Sequence, residues 1–338
     1  SKAFENAMIV HAACGGSTNL ILHLPAVAHA VKEKIMKVED WIRINKLTPR
    51  LVDVLPNGPH GFPTSVFFSS GGVPEVMLKL KNEGLLHLDV MTGTGKTLGE
   101  NLYWWEQSEK REFVRNQLRN QRKIDPEDVV HSLSNSKKKN MTSTVTFPKG
   151  NIAPEGSVVK STAIDKSVID DDGIYRKLGP ARIFISEADA IKAVKDKGPK
   201  GVKAGDIMVI VCGGPKGTGM QEVAQITIAL KYLSYGKEVA LITDGRFSGV
   251  STGACIGHIG PEALDGGPIG KLKENDLIEL KIDTINLEGS INLVGEDGKD
   301  KGTEWGNKEL EQRSIRKDLK PQEGLPEDTI LWAHLQSL

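Results

Sequence analysis

Two glycine-rich turns, each placed directly after a short apolar run, constrain this 338-residue chain more than any other feature. The apolar runs occupy residues 207–212 and 239–243, and the turns that follow them occupy residues 213–222 and 244–258. Runs that are rich in β-branched residues predict strands covered on both faces. We therefore expect both turns to emerge along one edge of a sheet, which is a common place for a small-molecule site.

The first turn contains four glycines and ends at Glu222. Glycine tolerates positive φ and lets a ligand approach the main-chain N–H groups closely. We expect Glu222 to lie in the first turn of a helix over residues 223–232, where a carboxylate stabilises the positive end of the helix dipole. The alternative is that Glu222 binds a hard cation. The residues alone leave both interpretations open.

The second turn places an acid, a guanidinium and a hydroxyl within five residues, at Asp244, Arg246 and Ser248. An ordinary Asp-Gly turn with a hydrogen-bonded serine would explain this pattern. Arg246 could instead pair with a ligand carboxylate, or bond a turn carbonyl or Asp244. Ser248 could act as a base if a nearby metal lowered its pKa. Thr252 is a candidate ligand contact, and His258 is either a ligand contact or a structural histidine.

A break at Gly15-Gly16-Ser17-Thr18-Asn19 separates two predicted helices within residues 3–31. Ser17 or Thr18 would make a good N-cap for the second helix. The free N–H groups at that helix end could also hold an anion such as a substrate carboxylate. Capping and anion binding both remain possible for these two hydroxyls.

Long irregular strings in this sequence resemble the dihydroxy-acid dehydratase and 6-phosphogluconate dehydratase family. They are residues 15–26 (GGSTNLILHLPA), 214–222 (GPKGTGMQE), 243–249 (TDGRFSG) and 255–270 (CIGHIGPEALDGGPIG). Residues 93–106, 142–156 and 325–332 are similar to the sugar-acid branch of that family, which acts on aldonates such as D-xylonate. The resemblance covers essentially the whole chain.

The resemblance implies a hydro-lyase that converts a 2,3-dihydroxy acid to a 2-keto-3-deoxy acid with a [2Fe-2S] cluster and Mg²⁺. It implies that Glu222 is a metal ligand and that Ser248 takes the C2 proton as an alkoxide. Ser17, Thr18, Arg246 and Thr252 are then candidate substrate contacts. The implied fold class is α/β: residues 1–140 form the C-terminal part of an α/β domain with a charged helical connector, and residues 141–338 form a swivelling β-barrel-like (β/β/α) domain.

The cysteines do not supply the cluster ligands that the resemblance implies. Cys14, Cys212 and Cys255 are widely separated in apolar or glycine-rich surroundings, so we expect three buried small apolar side chains. The family places its cluster ligands, and its other metal ligands, in an N-terminal half that this chain lacks. The alternative to a dehydratase half is therefore a catalytically inactive fragment or binding module.

Composition excludes some classes of function. Lysine plus arginine equals aspartate plus glutamate at 44 each, so no charge excess favours nucleic acid or a membrane. No apolar run is long enough to span a bilayer, and the few unpaired cysteines favour the cytoplasm. A nucleotide-binding loop at residues 91–97 is disfavoured because position 90 is valine. A phosphate or nucleotide binder built on the glycine turns is a weaker hypothesis. The expected partners are a sugar acid, the missing N-terminal half and further copies of the chain.

Further elements follow from hydrophobic periodicity. We expect a helix and connector over residues 38–54, with Trp41 and Leu47 in the core, and a turn-rich stretch over residues 56–72. Predicted helices cover residues 71–83 and 187–195, and residues 101–139 are predicted to form one or two surface helices followed by a linker. Predicted strands cover residues 142–147, 157–161, 181–185, 277–282 and 290–294. Residues 295–324 are predicted to be loose, and residues 329–335 to form a short closing helix.

Overall fold

The computed structural model describes residues 1–247 and 253–322 of the chain. The chain divides into two compact units, Ser1–Val145 and Thr146–Leu338. Among the described residues, every helix is too short or too polar to cross a lipid bilayer. The two units are built differently, and together they make the chain a mixed α/β protein.

The first unit is helical. Its helices are α1 Lys2–Cys14, α2 Asn19–Ala30, α3 Val38–Leu47, α4 Thr64–Ser69, α5 Gly72–Asn82, α6 Leu98–Glu106, α7 Glu109–Arg122, α8 Pro126–Val129 and α9 Leu133–Lys138. The predicted break between α1 and α2 is confirmed, because Gly15 ends α1 in the left-handed conformation, with φ 62°.

The core prediction for the first unit was correct for one residue and wrong for another. Trp41 is buried, but Leu47 is 51% exposed. Leu47 is the last residue of α3, and this helix ends there rather than continuing toward residue 54. The stretch over residues 56–72, predicted to be rich in turns, also contains the short helix α4. Helix ends and short helices are the features that periodicity defines least well.

The second unit is built on a sheet with the order β1-β2-β8-β6-β4-β3-β9-β10-β11. Its strands are β1 Val145–Thr146, β2 Gly156–Lys160, β3 Ile174–Phe184, β4 Ile207–Ile210, β6 Ala240–Thr243, β8 Cys255–Gly260, β9 Asp276–Asp283, β10 Glu288–Glu296 and β11 Lys299–Asp300. The separate pair β5 Glu222–Val223 and β7 Arg246–Phe247 forms a small ladder. The helices are α10 Glu187–Lys195, α11 Pro215–Thr218, α12 Gln225–Lys231 and α13 Thr303–Gln312.

The centre of this sheet is parallel, and its flanks are antiparallel. Strands β3, β4, β6 and β8 run in the same direction, while β2 and β9 run against their neighbours β8 and β3. All residues of β4 and β6 are buried, as expected of strands covered on both faces. Ile210 and Thr243 are partners at the ends of β4 and β6. The prediction that the two glycine-rich turns emerge at one edge is therefore confirmed.

The prediction that residues 295–324 are loose was wrong. This stretch contains β11 and the helix α13, and Leu310 of α13 is buried. Arg313 follows the helix and places its guanidinium in a buried ion pair with Asp276, with Nη1–Oδ2 and Nη2–Oδ1 distances of 2.5 and 3.0 Å. The polar composition of residues 295–324 gave no sign of this ion pair, because it depends on a distant residue. The predicted helix over residues 329–335 lies outside the described residues.

We predict that Arg313→Met destabilises the second unit by about 3–5 kcal/mol, because it leaves the Asp276 carboxylate buried without its charge partner. The control is Arg176→Met, which removes an ion pair with Asp172 whose side chains are 42% and 52% exposed. Such exposed pairs contribute about 0–1 kcal/mol. Urea unfolding of both variants makes the comparison, and equal losses would contradict the assigned position of α13.

Candidate functional site

The candidate site lies at the carboxyl ends of β4 and β6, where the two glycine-rich turns meet. The first turn contains α11 and β5, and the second contains β7. In the parallel ladder between β5 and β7, Glu222 is the partner of Arg246 and Val223 is the partner of Phe247. The turns are thus held side by side, with Glu222 and Arg246 as backbone partners.

Asp244 ties three segments together at this edge. Its Oδ1 accepts a hydrogen bond from the Gly213 N–H at 2.8 Å, and its Oδ2 accepts from the N–H groups of Ala263 at 2.9 Å and Cys212 at 3.2 Å. The side chain is buried, and burial raises the pKa of Asp244 although the three N–H donors oppose that shift. The carboxylate is therefore committed to the main chain.

Glu262 makes a similar contact that the sequence did not indicate. Its Oε1 and Oε2 both accept from the Lys216 N–H, at 2.9 and 3.2 Å, at the start of α11. Burial raises the pKa of Glu262. A Cβ on Gly214 would lie 2.3 Å from Oε2 and 2.7 Å from Cβ of Glu262, so a side chain at position 214 would displace Glu262. Glu262 and Lys216 are 46 residues apart in the sequence, so local spacing did not indicate the contact.

Glu222 differs from these two acids. It lies in β5, because pairing with β7 holds it extended, and α12 begins only at Gln225. The expectation that Glu222 occupies the first turn of a helix was therefore wrong, and helix-dipole stabilisation does not explain it. Within residues 1–247 and 253–322, the half-buried Glu222 carboxylate has no hydrogen bond or ion pair. Its oxygens are available to a cation.

Arg246 has a structural partner in the first turn. Its Nε donates to the carbonyl oxygen of Met220 at 2.5 Å, and its backbone N–H donates to that of Gln221 at 3.4 Å. Of the alternatives left open by the sequence, the structure gives Arg246 the turn carbonyl. This bond fixes the guanidinium against the main chain of the first turn, two residues before Glu222. Ser248 and Thr252, which follow in the same turn, lie outside the described residues.

His258 joins the same cluster from β8. Its backbone N–H donates to the carbonyl oxygen of Gly245 at 2.9 Å. Its ring meets the Phe247 ring edge-on, with 6.2 Å between the ring centroids. Its backbone is left-handed, with φ 52°. Burial, together with the charge of Arg246, lowers the pKa of His258 to about 4. The imidazole is therefore neutral near pH 7.

Ser17 and Thr18 lie in the first unit. Thr18 occupies the N-cap position of α2 but makes no side-chain capping bond, whereas Ser17 Oγ accepts from the Asn19 N–H at 3.3 Å. Thr18 is buried. Ser17 lines a largely apolar cavity of about 570 Å³, together with Cys14 and Leu20.

The cysteines do not fit an iron–sulfur cluster. Burial raises the pKa of Cys14 to about 12, that of Cys212 to about 11, and that of Cys255 further still. Cluster ligands are thiolates, which these settings disfavour. Cys212 and Cys255 are buried as expected, whereas Cys14 is only partly covered and lines the cavity beside Ser17.

Magnesium is a better match to the residues present. No group of three or more histidine, cysteine, aspartate or glutamate side chains within the described residues could hold a metal ion. Mg²⁺ usually takes one or two protein carboxylates and completes its shell with water and substrate oxygens. Glu222, whose carboxylate has no other partner in the described structure, fits as one such ligand.

Two family models match this chain. The dihydroxy-acid/6-phosphogluconate dehydratase C-terminal model matches residues 128–326, and the corresponding N-terminal model matches residues 1–101. The chain belongs to the dihydroxy-acid/6-phosphogluconate dehydratase family, as the motifs indicated.

Its relatives include two D-xylonate dehydratases of Escherichia coli K12. The chain is 57% identical to YagF and 58% identical to YjhG, in each case over 100% of this chain and 51% of the relative. It is also 41% identical to a dihydroxy-acid dehydratase of Leifsonia xyli, over 85% of this chain and 46% of the relative. The chain thus spans about half the length of these curated relatives.

We predict that Asp244→Asn destabilises the second unit by about 1–3 kcal/mol, because an amide cannot accept hydrogen bonds from all three N–H donors. The control is Asp265→Asn at an exposed ion pair with Lys216, which should stay within about 0.5 kcal/mol of wild type. Amide hydrogen exchange of peptides that cover β4 and β6 should be faster in Asp244→Asn than in wild type, because the ends of these strands lose stability. Unchanged exchange in Asp244→Asn would show that the turns are held in another way.

A pH dependence follows from His258. Its folded pKa of about 4 lies below the ordinary value of 6.5, so the unfolded chain binds a proton that the folded chain excludes. Stability should fall as the pH drops from about 6.5 to about 4, by about 1.4 kcal/mol per pH unit. Asparagine tolerates the left-handed backbone. The variant His258→Asn should therefore lose the part of the pH dependence that comes from the imidazole. The test compares the urea midpoints of wild type and variant at pH 7 and again at pH 4.5. The advantage of wild type over the variant should be smaller at pH 4.5, and an equal difference at the two pH values would contradict the assigned pKa shift.

Proposed function

We propose that the protein containing this chain is a hydro-lyase that dehydrates D-xylonate or a related aldonate to a 2-keto-3-deoxy acid. One observation carries the proposal. Glu222, which has no side-chain partner among residues 1–247 and 253–322, is the backbone neighbour of Arg246 in a chain that matches two D-xylonate dehydratases along its whole length. An acid for the metal and a guanidinium for the substrate carboxylate are what this reaction needs at one place.

In the proposed mechanism, Glu222 would hold Mg²⁺, and Arg246 orients the substrate carboxylate. When bound, Mg²⁺ would make the C2 hydrogen more acidic by drawing electron density from the carboxylate and the C2 hydroxyl. Ser248, two residues after Arg246, takes the C2 proton on its Oγ. Ser248 starts as the alkoxide. The C2–H electron pair forms the C2–C3 double bond as the C3 hydroxyl leaves as hydroxide, which takes the proton now on Ser248 Oγ to become water and restores the alkoxide. The resulting enol becomes the 2-keto acid.

The proposal extends to the parts of the enzyme that this chain does not supply. The complete enzyme would carry a [2Fe-2S] cluster whose ligands come from outside this chain, and we assign no step of the mechanism to it. Residues 141–338 would act as a swivelling β-barrel-like domain, following residues 1–140 as the end of the α/β domain. Ser17, Thr18 and Thr252 remain candidate substrate contacts. A cytoplasmic homo-oligomer is part of the same proposal.

The test uses the protein at the full length that its gene encodes, assayed for 2-keto-3-deoxy acid formation from a panel of aldonates that includes D-xylonate. We predict that Glu222→Gln and Ser248→Ala each lower kcat by at least about 100-fold, in line with loss of a metal ligand or a general base. The control is Glu304→Gln on the exposed start of α13, which should keep full activity.

Two outcomes would contradict the proposal in different ways. Wild-type protein that dehydrates no aldonate would favour the alternative of an inactive binding module. Active wild type with variants that retain more than a tenth of its kcat would leave the activity standing and remove Glu222 or Ser248 from the mechanism.

A further inference from the structure

His258 carries a buried nitrogen that the fold does not use. In the described part of the chain, its Nε2 is shielded from solvent and has no hydrogen-bond partner. A buried polar atom without a partner costs about 1–3 kcal/mol and is uncommon in native proteins. Each such atom therefore calls for an explanation.

Packing does not explain the imidazole. The ring of His258 meets Phe247 edge-on, at an interplanar angle of 73°. A phenyl ring would make the same contact without a buried nitrogen. The main-chain bond to Gly245 is independent of the side chain. Without a ligand, the buried nitrogen lowers the stability of the fold. A ligand that forms a hydrogen bond with Nε2 would offset this loss.

The position of His258 relates this nitrogen to Glu222 and Arg246. Hydrogen bonds cross from the His258 N–H to Gly245 and from the Arg246 N–H to Gln221, so three neighbouring segments carry His258, Arg246 and Glu222 in that order. Adjacent segments in such ladders are about 4.8 Å apart. The backbones of His258 and Glu222 are therefore about 10 Å apart, which a short polyhydroxy acid with a polar contact at each end can span.

The packing around His258 fixes its place. A Cβ on Gly257 would lie 2.4 Å from the Phe247 ring, so β8 and β7 are in direct contact at this point. The left-handed backbone at His258 interrupts the regular alternation of side chains along β8. Strained or unusual backbone of this kind is often found at ligand sites.

We propose that His258 is a substrate-binding residue whose Nε2 forms a hydrogen bond with a hydroxyl group of the sugar acid. A hydroxyl suits either tautomer, since it accepts from Nε2–H and donates to unprotonated Nε2. A neutral imidazole does not repel the Arg246 guanidinium, to which the proposed function assigns the carboxylate of the same molecule. This inference rests on the proposed function and adds a contact at the end of the site away from Glu222.

The experiment compares two variants in the full-length protein. His258→Phe keeps the ring and removes the nitrogen, and His258→Asn keeps the left-handed backbone but is too short to reach the ligand. Both should raise KM for D-xylonate about tenfold, the equivalent of one hydrogen bond of about 1.4 kcal/mol. With little change in kcat, this pattern marks a contact made equally in the ground and transition states.

Controls separate binding from folding. His29→Asn, on the exposed end of α2, should keep the wild-type KM. Calorimetric titration with D-xylonate should show the same weakening in both His258 variants, and hydrogen exchange of β8 without substrate should show that His258→Phe remains folded there.

The outcomes distinguish this inference from the proposed function. Active wild type with an unchanged KM in both His258 variants overturns the inference and leaves the dehydratase proposal intact. Wild type without activity on any aldonate overturns both.

Discussion

The contact on which the candidate site depends is the buried Asp244 carboxylate and its three main-chain N–H donors. Those donors belong to Cys212 and Gly213, after β4, and to Ala263, after β8. One side chain thus joins the ends of separate strands into a single surface. Glycine-rich turns are intrinsically free in conformation, and this bond is what fixes them.

The fixed turns separate three acids by role. Asp244 and Glu262 are buried against backbone N–H groups and hold the scaffold. Glu222 is left without a protein partner within the described residues, and it lies beside the anchored Arg246. The hydrogen bonds of Asp244 and Glu262 hold the turns rigid, whereas the Glu222 carboxylate can bind a cation. The difference lies in their hydrogen bonds rather than in their residue type.

Sequence reasoning predicted the features that depend on local pattern. The buried strands around residues 207–212 and 239–243, the shared edge of their turns and the break before α2 all follow from apolar periodicity and glycine placement. The family followed from long motifs. What failed depends on distant partners: β5 is extended because it pairs with β7, and residues 303–312 are helical with Leu310 packed and Arg313 bonded to Asp276. The Glu262 contact with Lys216 is equally non-local, so spacing alone did not indicate it.

The central claim is that Glu222, and neither Asp244 nor Glu262, offers its carboxylate to the metal at this edge. The most direct measurement is a crystal structure of the full-length protein grown with Mn²⁺ in place of Mg²⁺, with the metal located by anomalous scattering. The account predicts an anomalous peak about 2.0–2.3 Å from a carboxylate oxygen of Glu222, with Asp244 still bonded to its three N–H groups. A metal bound by Asp244 or Glu262, with Glu222 turned away from it, would contradict the account.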